Sequence, residues 1–182
     1  TDLMRKTLIS LAALAFVAGP ALAEPAALDT RIEALARSWD HVNYEVQGAA
    51  KVTQLAAIAA QADTLSKQYP NKAEPLIWKG IALSTEAGAK GGMGALGLAK
   101  EAKANLEKAE KLDASALNGS IYTSLGSLYY QVPGFPVGFG DKDKARAYLK
   151  KALAINPNGV DSNYFYGDFL FQQGQIAEAE KA

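Results

Sequence analysis

Apolar residues recur along this chain at intervals of three and four, the spacing of helices that bury one face. From Ala27 to Gln47 the stripe is Leu28, Ile32, Leu35, Trp39 and Val42, and Gly48 marks its end. From Lys51 to Gln68 it is Val52, Leu55, Ile58, Ala62 and Leu65, before Tyr69-Pro70-Asn71 breaks the period. Together these predict a degenerate helix pair within 24–71 that caps a larger array with a more polar outer face. Pro75 suits the opening turn of a third helix, whose packing face is Leu76, Ile77, Gly80, Ile81 and Leu83. A fourth, Leu98 to Leu112, turns Ala102, Leu106 and Ala109 inward. Its Lys103, Glu107 and Lys111, four apart, form a solvated outer face.

The pattern then repeats. Leu125-Gly126 and Tyr129, followed by Ala145, Leu149, Ala152 and Pro157, restate the sequence Gly80, Ala102, Leu106 and Ala109. Gly167, Gly174 and Ala179 begin it again. On these three matches the chain from Lys72 to Ala182 resembles tetratricopeptide (TPR) repeat proteins, stacks of helix pairs that bury their faces only against neighbouring copies. The expected fold is an all-α, TPR-like α-solenoid of antiparallel helix pairs, with repeats over 72–182. Gly80, Gly126 and Gly167 lie 46 and 41 residues apart, against about 34 in a standard repeat. The surplus predicts two enlarged intra-repeat loops. The last repeat breaks off in mid-helix at Ala182, which reads as truncation.

The first enlarged loop would hold Gly88, Gly91, Gly92, Gly94 and Gly97 with Lys90 and Met93. A phosphate cradle is disfavoured there, since no strand precedes it and no Gly-Lys-Ser/Thr closes it; a tight turn or a flap over a groove remains. The second, Gln131 to Asp141, alternates Pro133 and Pro136 with Gly134, Gly138 and Gly140, which permit positive φ. It reads as ordered, with Asp141 as the cap of the next helix. Phe135 and Phe139 then need burial: either they plug the gap between repeats or they line one wall of a ligand cleft.

In an ordinary stack the first helix of each pair lines the concave face. That places Ile77 and Ile81, then Thr123, Ser127 and Tyr130, then Asp161, Tyr164, Asp168 and Phe171 along one groove. Half apolar and half hydroxyl, with two carboxylates two turns apart, it suits an amphipathic helix, an extended peptide or a small apolar ligand with one polar end. Of the 16 aromatic residues, 11 fall between Tyr122 and Phe171.

Residues 1–23 read as upstream residues plus a cleavable signal peptide. Met4-Arg5-Lys6 is a cationic start, Leu8 to Val17 an apolar core, and Ala21-Leu22-Ala23 a cleavage site before Glu24. The expectation is export to a periplasm, with no membrane span in the mature chain. Beyond that segment there are 17 basic and 18 acidic side chains, a balance that steers the protein to neither nucleic acid nor anionic lipid. Cysteine is absent, which removes disulfides, thiolate metal sites and lipidation at a thiol. One histidine, His41 beside Asp40 and Asn43, reads as a surface residue. No nucleophile–base set or metal-ligand spacing can be assembled, and Asp161 with Asp168 lacks further partners for glycosidase or cation chemistry. The reading is therefore of a protein without cofactor or metal, and not an enzyme.

Within the repeat superfamily the chain resembles the small exported proteins grouped with the T-component of tripartite (TRAP-type) transporters. The resemblance lies in the glycine-rich first loop, Leu125-Gly-Ser-Leu-Tyr-Tyr130, Pro133 to Asp141 leading into Lys144-Ala145, Ile155-Asn-Pro-Asn-Gly159 and Asn163-Tyr-Phe-Tyr-Gly167. It implies an all-helical periplasmic protein that associates with a substrate-binding protein, takes an apolar ligand and, in some members, self-associates. Two functions follow: a scaffold that captures a protein partner, with or without a small apolar ligand, or a structural factor of the cell envelope held in a permanent complex.

Overall fold

The computed structural model describes residues 27–181; the expected signal segment and its cleavage site lie outside them. Within that range run α1 (Leu28–Glu45), α2 (Gly48–Gln68), α3 (Glu74–Lys90), α4 (Gly92–Leu112), α5 (Ser120–Gln131), α6 (Lys142–Ile155), α7 (Val160–Gln172) and α8 (Ile176–Ala179). A 3-10 turn, Ala116–Gly119, leads into α5. The fold is an all-α, TPR-like solenoid in which α3 packs on α4, α5 on α6 and α7 on α8. No described helix is long and apolar enough to cross a membrane.

Two glycines set the crossing of the central pairs. A Cβ added at Gly80 would stand 2.6 Å from Leu106 Cγ, and one at Gly126 would stand 2.6 Å from Leu149 Cγ. Each glycine lets the leucine of the second helix reach the backbone of the first. The two repeats therefore use one device at equivalent positions, flanked by fully buried Ala102, Ala109, Ala145 and Ala152. One apolar core runs from Ile32 and Leu35 in α1 through to Ala152 in α6. A second, built from Tyr129, Ala145, Leu149, Phe169 and Leu170, joins α7 to the array.

The capping pair differs from its expected form. Gly48 does not end α1 but opens α2, with φ +63°, and α1 stops at Glu45. Helix α2 packs more extensively on α3 than on α1. Lys79 fastens α2, α3 and α4 together, its Nζ lying 2.9 Å from both Asp63 Oδ1 and Glu101 Oε1. Burial alone would lower the Lys79 pKa, but its bonds to Asp63 and Glu101 outweigh that and raise it. Asp63 is held below the usual carboxylate range, first by Lys67 at 2.6 Å and then by Lys79.

Of the two enlarged loops, one is not a loop. Helix α3 continues to Lys90 and α4 starts at Gly92, so the surplus residues lengthen both helices. Glycine in a helix costs only about 1 kcal/mol relative to alanine, which the surrounding alanine, leucine and lysine residues tolerate. Gly91 and Gly92 reverse the chain, with φ of +61° and +64°, a conformation that glycine adopts without a Cβ clash. The second insertion is a true loop, 132–141, closed by its own backbone: Gly140 N–H donates to Pro133 O at 2.9 Å and Asp141 N–H to Tyr129 O at 2.8 Å. Its glycines do not adopt positive φ. They allow close approach instead, since a Cβ at Gly140 would lie 1.9 Å from Val132 O. Asp141 caps α6, its carboxylate accepting from the N–H groups of Asp143 and Lys144 at 3.0 Å each.

Candidate functional site

The first helices of the pairs, α3, α5 and α7, lie side by side, and α1 adjoins α3. Tyr130 near the end of α5 donates its hydroxyl to Asp168 Oδ2 of α7 at 2.5 Å. Gln172 donates to the same oxygen at 3.0 Å, and Gln131 donates to the Tyr130 hydroxyl oxygen at 3.3 Å. Burial, reinforced by the Asp168 carboxylate, pushes the Tyr130 pKa well above the ordinary tyrosine range. The phenol stays protonated and acts as a fixed donor between repeats. Its ring rests 5.6 Å from that of Phe169, the largest fully buried side chain near this joint.

On α7, Tyr164 and Phe171 remain 65% and 62% exposed on this face, and Asp161 is exposed beside them. Ser127 is half-buried on α5. Thr123 is buried, and its hydroxyl donates to Gly119 O at 3.4 Å. At the amino-terminal end of the α5–α7 trough, Thr123 and Asp161 share a cavity of about 250 Å³ with Leu117, Asn118, Ser120 and Ser162. The structure thus brings Thr123, Ser127, Tyr130, Asp161, Tyr164, Asp168 and Phe171 along one pair of helices.

Three expected positions fall elsewhere. Ile77 is fully buried between helices and presents nothing to a partner, because the half-buried arc of α3 is turned by one residue. That arc carries Glu74, Trp78, Ile81 and Thr85, with Ile81 half-buried against the core. Phe139 is half-buried and meets Tyr129 edge-on at 5.6 Å, so it does plug the joint between repeats. Phe135, expected to be buried, is 94% exposed at the loop tip. The two phenylalanines therefore do not line one cleft.

Sequence reasoning placed Trp39 in the apolar stripe of α1 and passed over Trp78 and Glu74. Trp39 donates its indole N–H to Thr85 Oγ1 at 3.0 Å and lies 6.1 Å from the Trp78 ring, tying α1 to α3. Glu74 Oε2 and Trp78 Nε1, one turn apart, are buried without a hydrogen-bond partner among the described residues. The signal was present: 74, 78, 81 and 85 recur at helical spacing as well as 77, 81 and 84 do.

The clustering of aromatics has a structural cause on the other side of the array. Tyr122 and Tyr148 stack at 6.0 Å, Tyr148 and Tyr129 at 5.6 Å, and Phe139 closes the row. Lys151 lies over Tyr122 and Tyr148 at 5.1 and 5.4 Å, and Lys144 over Tyr129 at 5.5 Å. Such cation–π contacts contribute about 0.5–1 kcal/mol each at exposed sites. With Lys103 of α4 over the Tyr129 and Phe139 rings at 5.9 and 5.8 Å, this row joins α4, α5 and α6; it is a seam, not a binding face.

Residues 137–182 match the tetratricopeptide repeat family. No curated protein matches the chain. The tetratricopeptide match spans α6, α7 and α8, so it covers the helix that carries Tyr164, Asp168 and Phe171. It supports a protein-interaction scaffold.

Proposed function

We propose that the chain is an exported, non-catalytic scaffold that captures a protein partner on the face made by α3, α5 and α7. Its setting in this reading is a periplasmic solute transport system, with a substrate-binding protein as the partner. The observation that carries it is the pair Tyr164 and Phe171, large aromatic side chains left mostly exposed beside a joint whose Tyr130–Asp168 bond keeps α5 and α7 in register. Exposed aromatics on a rigid face are the residues that anchor protein interfaces. Phe135 stands exposed at the loop tip while Phe139 packs on Tyr129, so the two form no apolar cleft wall, which favours a protein partner over a small apolar ligand.

The test is site-specific photocrosslinking in the native cell. A crosslinker at Tyr164 or Phe171 is expected to trap one protein that the same group at exposed Lys150 on α6 does not. Equal labelling from all three positions, or none from α7, overturns the proposal. Cleavage before Glu24 in the exported protein, read by intact mass, tests the localisation separately.

A further inference from the structure

The exposed face of α7 is an alternation of charge and ring. Asp161, Tyr164, Asp168 and Phe171 follow one another at three- and four-residue steps, which places all four within about 80° of arc on the helix. Carboxylates set beside exposed aromatic faces are the chemistry that recognises ammonium and guanidinium groups, by ion pairing and by attraction to the ring. The rest of the trough does not offset this charge. Helix α5 carries no ionisable side chain except its tyrosines, and α7 has no basic residue.

The opposite sign is collected elsewhere. Helix α6 carries Lys142, Lys144, Arg146, Lys150 and Lys151 against a single Asp143. Three of these are engaged with rings of the repeat joints: Lys144 and Lys151 with tyrosines, and Arg146 with Phe169 at 5.0 Å. The segregation leaves α5 and α7 as an acidic, aromatic strip. Asp168 Oδ2 accepts from two neutral donors, Tyr130 and Gln172, and not from a cationic one.

We infer that the docking face on α7 takes a basic amphipathic helix of the partner, with lysine or arginine side chains seven residues apart and apolar residues between them. Seven residues of helix rise about 10.5 Å, which equals the axial step from Asp161 to Asp168, so two basic groups of a helix laid along α7 meet both carboxylates together. An apolar residue between them then covers Tyr164, and one a turn beyond the second covers Phe171. This assignment rests on the α3/α5/α7 face being the capture surface and adds the chemistry of what is captured.

The experiment titrates the full chain against two fluorescent 15-residue peptides on the same leucine–alanine helix, one with lysines seven apart and one with glutamates there. The lysine peptide is expected to bind at least about tenfold more tightly, a difference of about 1.4 kcal/mol. Its binding should weaken as salt is raised, because exposed charge pairs are screened. Asp161→Asn with Asp168→Asn should remove the preference between peptides, and Tyr164→Ala with Phe171→Ala should weaken both. Asp168→Asn keeps an oxygen that accepts from Tyr130, and Glu33→Lys at an exposed site on α1, which raises the net charge by the same amount, serves as the charge-matched control. Equal binding of the two peptides, or no binding of either, overturns the inference. A face that crosslinks a partner in the cell yet shows no lysine preference keeps the capture surface and discards its charge assignment. Sedimentation equilibrium gives the remaining outcome. A concentration-dependent oligomer dispersed by the two asparagine changes assigns the strip to a second copy and likewise overturns it.

Discussion

Tyr130 and Asp168 are joined across two repeats by a hydrogen bond of 2.5 Å, a polar tie beside the apolar cluster that packs α7 onto α5 and α6. Tyr130→Phe keeps the ring against Phe169 and removes only the donor. Hydrogen bonds to charged groups are worth about 1.5–3 kcal/mol; in this half-buried setting a loss of about 1–2 kcal/mol is expected in urea unfolding. The substitution also alters the response to alkali. A phenol whose pKa is raised by folding contributes stability that is complete below its unfolded value, about 10, and that is lost as pH climbs toward the folded value. Melting temperature should therefore fall above pH 10 more steeply in the wild type than in Tyr130→Phe. Tyr122 and Tyr148, raised chiefly by burial, leave some slope in both.

The glycine crossings make a paired prediction. Gly80→Ala and Gly126→Ala each force a Cβ to 2.6 Å from a leucine Cγ, and overpacking of this kind costs about 1–3 kcal/mol. Gly88 lies in the same helix as Gly80 with no atom within 4 Å of its would-be Cβ. Gly88→Ala should instead stabilise by about 0.4–1 kcal/mol. Chemical denaturation of the three variants reads both signs, and equal effects at Gly80 and Gly88 would refute the close crossing.

The loop phenylalanines should separate sharply. Phe139→Ala opens the joint beneath Tyr129 and is expected to cost about 2–3 kcal/mol, somewhat under the value for a fully buried phenylalanine. Phe135→Ala, at a 94% exposed site, should change stability by less than about 0.5 kcal/mol. Thermal melts of both, with circular dichroism confirming retained helix, decide the matter.

Acid should act through Asp63. Its pKa is lowered by Lys67 and Lys79, so its contribution is present above the unfolded value near 4 and disappears as pH falls through the folded one. Asp63→Asn should flatten the loss of stability between about pH 4 and pH 2 and cost about 1 kcal/mol at neutral pH. Lys79→Met, which removes the bridge to both α2 and α4, should cost a similar amount and be partly non-additive with Asp63→Asn.

How far the amino-acid order disclosed these features depends on the kind of feature. Leu106 and Leu149, with their alanine neighbours, were legible because helical spacing and a glycine one helix earlier point to the same close contact. The face of α3 was not, because Ile77 and Trp78 are both apolar and periodicity alone does not say which arc meets a neighbouring helix. The glycines from 88 to 97 suggested a loop, and tertiary packing overrode that weak preference by extending α3 and α4. The fates of Phe135 and Phe139 depend on how a ten-residue backbone closes on itself, through Gly140 against Pro133 and Val132, which no side-chain pattern encodes. On α7 the residues nominated from sequence do lie together, since a single helix preserves its own spacing whatever surrounds it.

The two indoles of the molecule, Trp39 and Trp78, stand 6.1 Å apart where α1 meets α3, and α7 has none. Tryptophan emission, excited at a wavelength that tyrosine does not absorb, is thus a gauge fitted to one extremity only. A molecule settling along α7 leaves that signal silent unless the disturbance is relayed through α5. A spectral change on docking would accordingly measure mechanical communication down the array rather than contact itself.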